Sequence, residues 1–149
     1  MTTTPPRLAH IVVAVDGSPE SFCALELAAA IGGLQQAAIT VVHVREKLRA
    51  FSLGPAGAME YAQAEDELDA LIDTESNARM SGYSGTWTLE VRTGNVSHEV
   101  RAVADETDAD LVVVGHRSHS PVRDAILGST ASSIVHHSGR SVLVAVPPA

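Results

Sequence analysis

Three short runs constrain this chain most: Ile11–Val15, Leu111–Val114 and Val142–Val146 are apolar, rich in β-branched residues, and free of polar alternation. A strand that is apolar throughout is buried on both faces. It therefore belongs to a mostly parallel sheet with helices on each side. Ile39–Val44 reads as a fourth strand. Thr86–Val91 alternates instead, with Trp87, Leu89 and Val91 on one face, the pattern of an edge strand with one wet side.

Helical periodicity fills the gaps between these runs. Ser18–Pro19 supplies a cap and a proline at the first helical position. Phe22, Leu25, Ala28 and Ala29 then recur at helical spacing until Gly32–Gly33 ends the run. A second helix is expected from about Tyr61 to Met80. Its inner stripe would be Ala64, Leu68, Leu71 and Ile72, with Glu65, Asp66, Glu67, Asp69 and Asp73 on a solvated acidic face. Val96, Val100, Val103 and Ala104 mark a third helix. The fourth begins near Gly128 and ends at Ser138–Gly139, with Ala131, Ile134 and Val135 inward. Strands alternating with helices make a doubly wound α/β sheet. The 149 residues fit one domain, 1–149. Arg45–Glu60, with its glycines and proline, reads as either a flap or an ordinary surface loop.

Composition excludes several roles. Ten basic against eighteen acidic residues give a net charge of -8. That disfavours general nucleic-acid binding, where phosphate neutralisation dominates affinity, and it disfavours anionic membranes. No apolar run approaches the ~18 residues of a membrane span, and the first residues lack a signal-peptide layout. Cys23 is the single cysteine, so no internal disulfide, no Cys-x-x-Cys redox pair and no thiolate zinc knuckle is possible. A cytoplasmic location is the expectation.

In such sheets ligands sit outside the carboxyl ends of the strands, where the strand order reverses. Strand 1 runs into Asp16–Gly17–Ser18. Strand 4 runs into Gly115–His116–Arg117–Ser118, followed by Gly128–Ser129–Thr130. Glycines admit close backbone approach, and a helix N-terminus offers N–H groups to an anion, so this is a sensible phosphate cradle. It matches neither the P-loop nor the G-x-G-x-x-G pattern. Arg45, Lys47, Arg49, Arg117 and Arg123 follow strands 2 and 4 and would make a positive rim.

Other residues have plainer readings. Asp16 suits a ligand contact or a loop cap better than a catalytic base. His43 fits a packed or hydrogen-bonded role, and Cys23 a small buried apolar residue. His116 and His119 with His136 and His137 form a poor metal site, lacking an assisting carboxylate nearby in sequence. His136 and His137 instead complement a helix C-terminus.

These segments resemble the universal stress protein family of the single-domain type, along nearly the whole chain. The resemblance rests on Ala14–Ser18, Val42–Val44, Asp110–Gly115, Gly128–Thr130 with His136–His137, and Ser141–Val144. It implies a five-stranded parallel sheet in the order 3-2-1-4-5 with helices on both faces (Rossmann-like), and a homodimer. Its nucleotide-binding branch carries G-x2-G-x9-G-[ST]. Here the spacing is Gly115, Ser118, Gly128–Ser129, with serine replacing the second glycine. The resemblance implies ATP with Mg or Mn, held through Ala14, Val15, Asp16, Val44, Gly115, Arg117, Ser118, Gly128, Ser129 and Thr130. Adenine would meet the Val44 backbone, Asp16 the ribose and metal, and Gly115 with Gly128–Thr130 the phosphates. The function implied is that of a nucleotide-binding stress-response protein, not an enzyme, although slow ATP hydrolysis is a further, weaker reading. A branch without the glycine motif is nucleotide-free and acts through protein contacts. The expected dimer pairs strand Ser141–Val146 with its copy, which covers an apolar edge.

Overall fold

The computed structural model describes residues 3–46, 52–116 and 128–148. In chain order the elements are β1 (His10–Ala14), α1 (Pro19–Gly33), β2 (Ala38–Arg45), α2 (Gly54–Met80), β3 (Trp87–Thr93), α3 (Val96–Glu106), β4 (Leu111–Gly115), α4 (Ser129–His137) and β5 (Ser141–Ala145). The five strands form one parallel sheet in the order β3-β2-β1-β4-β5, as expected. The order reverses between β1 and β4.

Strand pleating sends alternate residues to opposite faces. One core joins Ile11, Val13, Ile39, Val41 and Val113 to Leu25, Ala28, Ile72 and Met80, beneath α1 and α2. The other joins Val12, Val42, Val112 and Val114 to Val100, Val103, Ala131 and Ile134, beneath α3 and α4. Local signals set the helix starts. The Ser18 hydroxyl accepts the Ser21 N–H at 3.2 Å, with Pro19 opening α1. The Asn95 side chain accepts the His98 N–H at 3.1 Å at the start of α3.

Three expectations need correction. First, α2 starts at Gly54, not near Tyr61, so residues 54–60 of the anticipated loop are helical. Residues 47–51 of that stretch lie outside the described residues, and so does the choice between flap and surface loop. Second, Ala64 is exposed and Leu71 is 46% exposed, whereas Leu68, Ile72, Ser76 and Met80 turn inward. The inward stripe of α2 meets Arg45 at the end of β2 and takes Glu65 and Asp69 there. Third, Val91 and Val135 are 46% and 41% exposed, not inward. On β3 the opposite face is used instead by Arg92, which bridges Glu90 at 2.8 Å and also pairs with Glu106 of α3. Cys23 is partly buried, packed against the α1/α2 core. Among the described residues, no helix is long and apolar enough to cross a membrane.

Candidate functional site

The carboxyl ends of β1, β2 and β4 open into a cavity of about 400 Å³ at the point where strand order reverses. Ala14, Val15, Asp16 and Ser18 line it after β1, Val42, His43 and Val44 from β2, and Val114 and Gly115 from β4. Gly128, Ser129 and Thr130 line it from the start of α4. Tyr61, Glu65 and Leu68 of α2 and Val96 and Val100 of α3 close the sides. Most of the anticipated site residues thus share one cavity. Arg117 and Ser118 lie outside the described residues.

The turn after β1 is built from its own polar groups. Asp16 Oδ1 accepts the Ser18 N–H at 2.9 Å, and the Asp16 N–H points to Ser21 Oγ at 3.3 Å. This is the loop-capping geometry open to an aspartate. Gly17 has φ +85, so the turn favours glycine; a Cβ there would also lie 2.7 Å from Leu68 Cδ1, the tip of a side chain that would have to move.

The backbone of Val44 faces the cleft by strand parity. The Val42 carbonyl accepts the Val15 N–H at 2.8 Å, so the polar groups of Val42 face β1. Those of Val44 face the same way, two residues past the last register pair, Ala14 with Val42. Across the cavity, α4 starts at Gly128 with φ -53 and ψ 152 and no side-chain cap. Among the described residues no side chain caps its first turn, which presents N–H groups beside the exposed Ser129 and Thr130. Gly115 has a different reason to be glycine. A Cβ there would lie 2.5 Å from the Glu20 carbonyl oxygen and 2.9 Å from the Ser21 nitrogen. The first turn of α1 packs directly on β4 at that point.

Of the five residues expected to make a positive rim, Arg45 is the one described. Arg45 is held by carboxylates of α2: it bonds Asp69, reaches Asp66 at 2.8 Å, and has Glu65 at 3.8 Å. Hydrogen bonds to Asp69, then to Asp66, make the guanidinium hold its proton more tightly than usual. Arg45 is therefore neutralised. Lys47, Arg49, Arg117 and Arg123 lie outside the described residues. Glu65 and Asp69 likewise belong to this cluster, whereas Asp66 matches the solvated reading, with its side chain 74% exposed. Counting back from Ile72 by four and seven residues reaches Leu68 and Glu65, a signal that marks Glu65 as inward.

His43 is buried, with Nδ1 at 3.0 Å from the Val15 carbonyl oxygen and Nε2 at 3.5 Å from Asp69 Oδ1. Among the described residues, the histidine and carboxylate group within metal-ligand reach is His43, Glu65 and Asp69. His116 does not join His136 and His137 in such a group. His119 lies outside the described residues. His136 and His137 occupy the last turn of α4.

Comparison with known proteins agrees with the fold and extends it. The chain is 30% identical over 132 residues to universal stress protein A homolog 1 of Coxiella burnetii, covering 85% of this chain and 88% of that protein. It spans about half the length (47%) of the mycobacterial universal stress proteins it matches. The universal stress protein UspA from Lactobacillus plantarum superposes with a TM-score of 0.79 at 22% identity, over 94% of this chain and 99% of that one. An Arabidopsis thaliana universal stress protein family protein with AMP bound superposes with a TM-score of 0.68 at 18% identity, over 95% and 93%. Residues 8–146 match the universal stress protein family, and this chain belongs to it.

Proposed function

We propose that this chain is an adenine-nucleotide-binding stress protein that takes ATP with Mg or Mn and signals as a homodimer. The observation that carries the reading is the cavity itself. It brings the Val44 backbone, the Asp16 turn and the bare first turn of α4 around about 400 Å³, a volume within the range of small-molecule sites. AMP bound to a relative of the same fold supports adenine as the base. In this reading Ala14 and Val15 flank the nucleotide. Val44 meets adenine through its N–H and C=O, and Asp16 lies by the ribose and metal. Gly128, Ser129 and Thr130 hold phosphate, as helix N-termini favour anions. Gly115, Arg117 and Ser118 complete the cradle. The role is binding rather than catalysis, in the cytoplasm, by a chain that forms one domain. The proposed dimer joins β5 edges, where Val142, Leu143 and Val144 are only partly buried.

A nucleotide-free dimer acting through protein contacts is the second reading. It is favoured by Gly115, whose missing side chain is already required by the packing of α1. Protein purified, denatured and assayed for released nucleotide separates the two. The first reading expects adenine nucleotide, or a rise in melting temperature with millimolar MgATP; at ~100 times the dissociation constant the stabilisation is about 2.7 kcal/mol. Neither signal would leave the second reading standing. Light scattering at the mass of a single chain would remove the dimer from both.

A further inference from the structure

The cluster at the end of β2 buries polar atoms that the fold does not pair. The His43 side chain is only 4% exposed. Its Nδ1 lies against the Val15 carbonyl, so in the neutral ring that nitrogen carries the proton and Nε2 carries a lone pair. Among the described residues, Nε2 is buried without a hydrogen-bond partner, and so are Asp69 Oδ1 and Glu65 Oε2. His43, Glu65 and Asp69 each offer one ligand atom, and these lie within 4.8 Å of one another. With the ring neutral, three acceptors face each other, an arrangement that costs energy unless a cation sits between them.

The spacing and surroundings suit a metal ion. Two ligands at ~2.0–2.2 Å from a tetrahedral ion stand roughly 3.4 Å apart, and His43 Nε2 to Asp69 Oδ1 is 3.5 Å. A metal-bound histidine usually donates its other N–H to a carbonyl or carboxylate, fixing the ring; the Val15 carbonyl fills that place. Arg45 engages Asp69 Oδ2, which orients the carboxylate and leaves Oδ1 facing the histidine. Charge points the same way. Three carboxylates, Glu65, Asp66 and Asp69, surround one guanidinium, an excess of two negative charges. The cavity, lined by His43 and Glu65, gives an entry path.

We propose that His43, Glu65 and Asp69 form a site for a divalent transition metal, zinc by its mixed imidazole and carboxylate donors, with water completing the shell. The site goes beyond the nucleotide reading and needs no phosphate. His43 faces α2 on the α1/α2 side of the sheet, whereas Gly128–Thr130 open α4 on the other.

The test is calorimetric titration of chelator-treated, nucleotide-free protein with zinc chloride. One zinc ion per chain is expected. His43→Gln and Glu65→Gln should each weaken it by more than the ~10–100-fold lost with an outer-shell partner. Nitrogen-15 spectra of the unaltered protein give a readout that no folding defect affects: His43 Nε2 should shift on zinc addition. Absence of saturable binding overturns the proposal, as does zinc binding that both variants retain. An unmoved His43 Nε2 at saturating zinc overturns it even if zinc binds elsewhere. Because nucleotide is absent throughout, none of these outcomes depends on the nucleotide reading.

Discussion

On the α1/α2 face the core rises through Ile11, Leu25 and Ile39 to Ile72 and then gives way to His43, Arg45, Glu65 and Asp69. On the α3/α4 face it rises through Val12, Val103 and Val112 to Ala131 and Ile134 and ends at the uncapped start of α4. The same strands feed both faces. The pleat of β2 sends Val41 and His43 one way and Val42 and Val44 the other. One rim is filled with its own opposing charges. The other offers backbone N–H groups that an incoming anion would satisfy. The difference teaches that a parallel sheet delivers two unlike half-sites to one cleft simply by alternating its side chains.

The largest expected effect tests whether the two bodies are as alike as their composition. Ile72 and Ile134 are both essentially buried, one in each core. Truncating such a residue removes its transfer free energy and opens a cavity, so Ile72→Ala and Ile134→Ala should each cost about 2–5 kcal/mol. Urea unfolding measures both. A cost under about 1 kcal/mol for either would mean that its face is loosely packed, and the likeness of the two bodies would fail.

A smaller effect separates the rims. Gly115→Ala drives a Cβ against the α1 backbone and should cost about 1–3 kcal/mol, since the obstruction is backbone and cannot swing aside. Gly128 has ordinary extended angles at the cap position. Gly128→Asp should stabilise the free protein by a few tenths of a kcal/mol, through capping and the helix dipole. It should also abolish the thermal shift with MgATP, because its carboxylate would occupy the proposed phosphate position. If Gly128→Asp binds MgATP unchanged, the bare helix start is not the anion site.

The bodies were far more legible in the sequence than the rims. Unbroken runs such as Leu111–Val114 fix a strand and its double burial together, because apolar burial dominates there and both faces agree. The strand order came from family resemblance and is the observed one. The stripe of α2 was misjudged because hydrophobic periodicity assumes an apolar neighbour. At the end of β2 the neighbour is Arg45, and Glu65 and Asp69 face inward to meet it. Leu71, read as core, lies off that stripe. Similarly, Gly115 was legible as a glycine that permits close approach, but nothing in the sequence says that the approaching backbone is that of α1.

The smallest effect expected is acid sensitivity at the opposite, amino end of the sheet, where Asp110 ties the start of β4 to the start of β1. Asp110 Oδ2 accepts the Ala9 N–H at 2.7 Å and the His10 N–H at 3.0 Å. Those backbone bonds, His10 first, hold the Asp110 carboxyl below its ordinary value of 3.8. Its contribution is therefore complete above that value and is lost as pH falls through the lower folded one. His10, bonded through Nε2 to Thr40 Oγ1 at 2.8 Å, is held below its ordinary 6.5 by burial, with Asp110 pulling weakly the other way. The neutral ring is the favoured form, so its contribution is also complete above 6.5 and lost as pH falls through the depressed value. Stability should thus decline in two modest steps, one below 6.5 and one below 3.8. Asp110→Asn should remove the lower step and keep the upper. Urea midpoints for both proteins at pH 7.5, 5 and 3 measure this. If the wild-type midpoint holds steady between pH 7.5 and 5, His10 does not couple folding to protonation. If Asp110→Asn loses stability below pH 3.8 as steeply as wild type, the acid response arises elsewhere, and the charged rim on the α1/α2 face becomes the place to look.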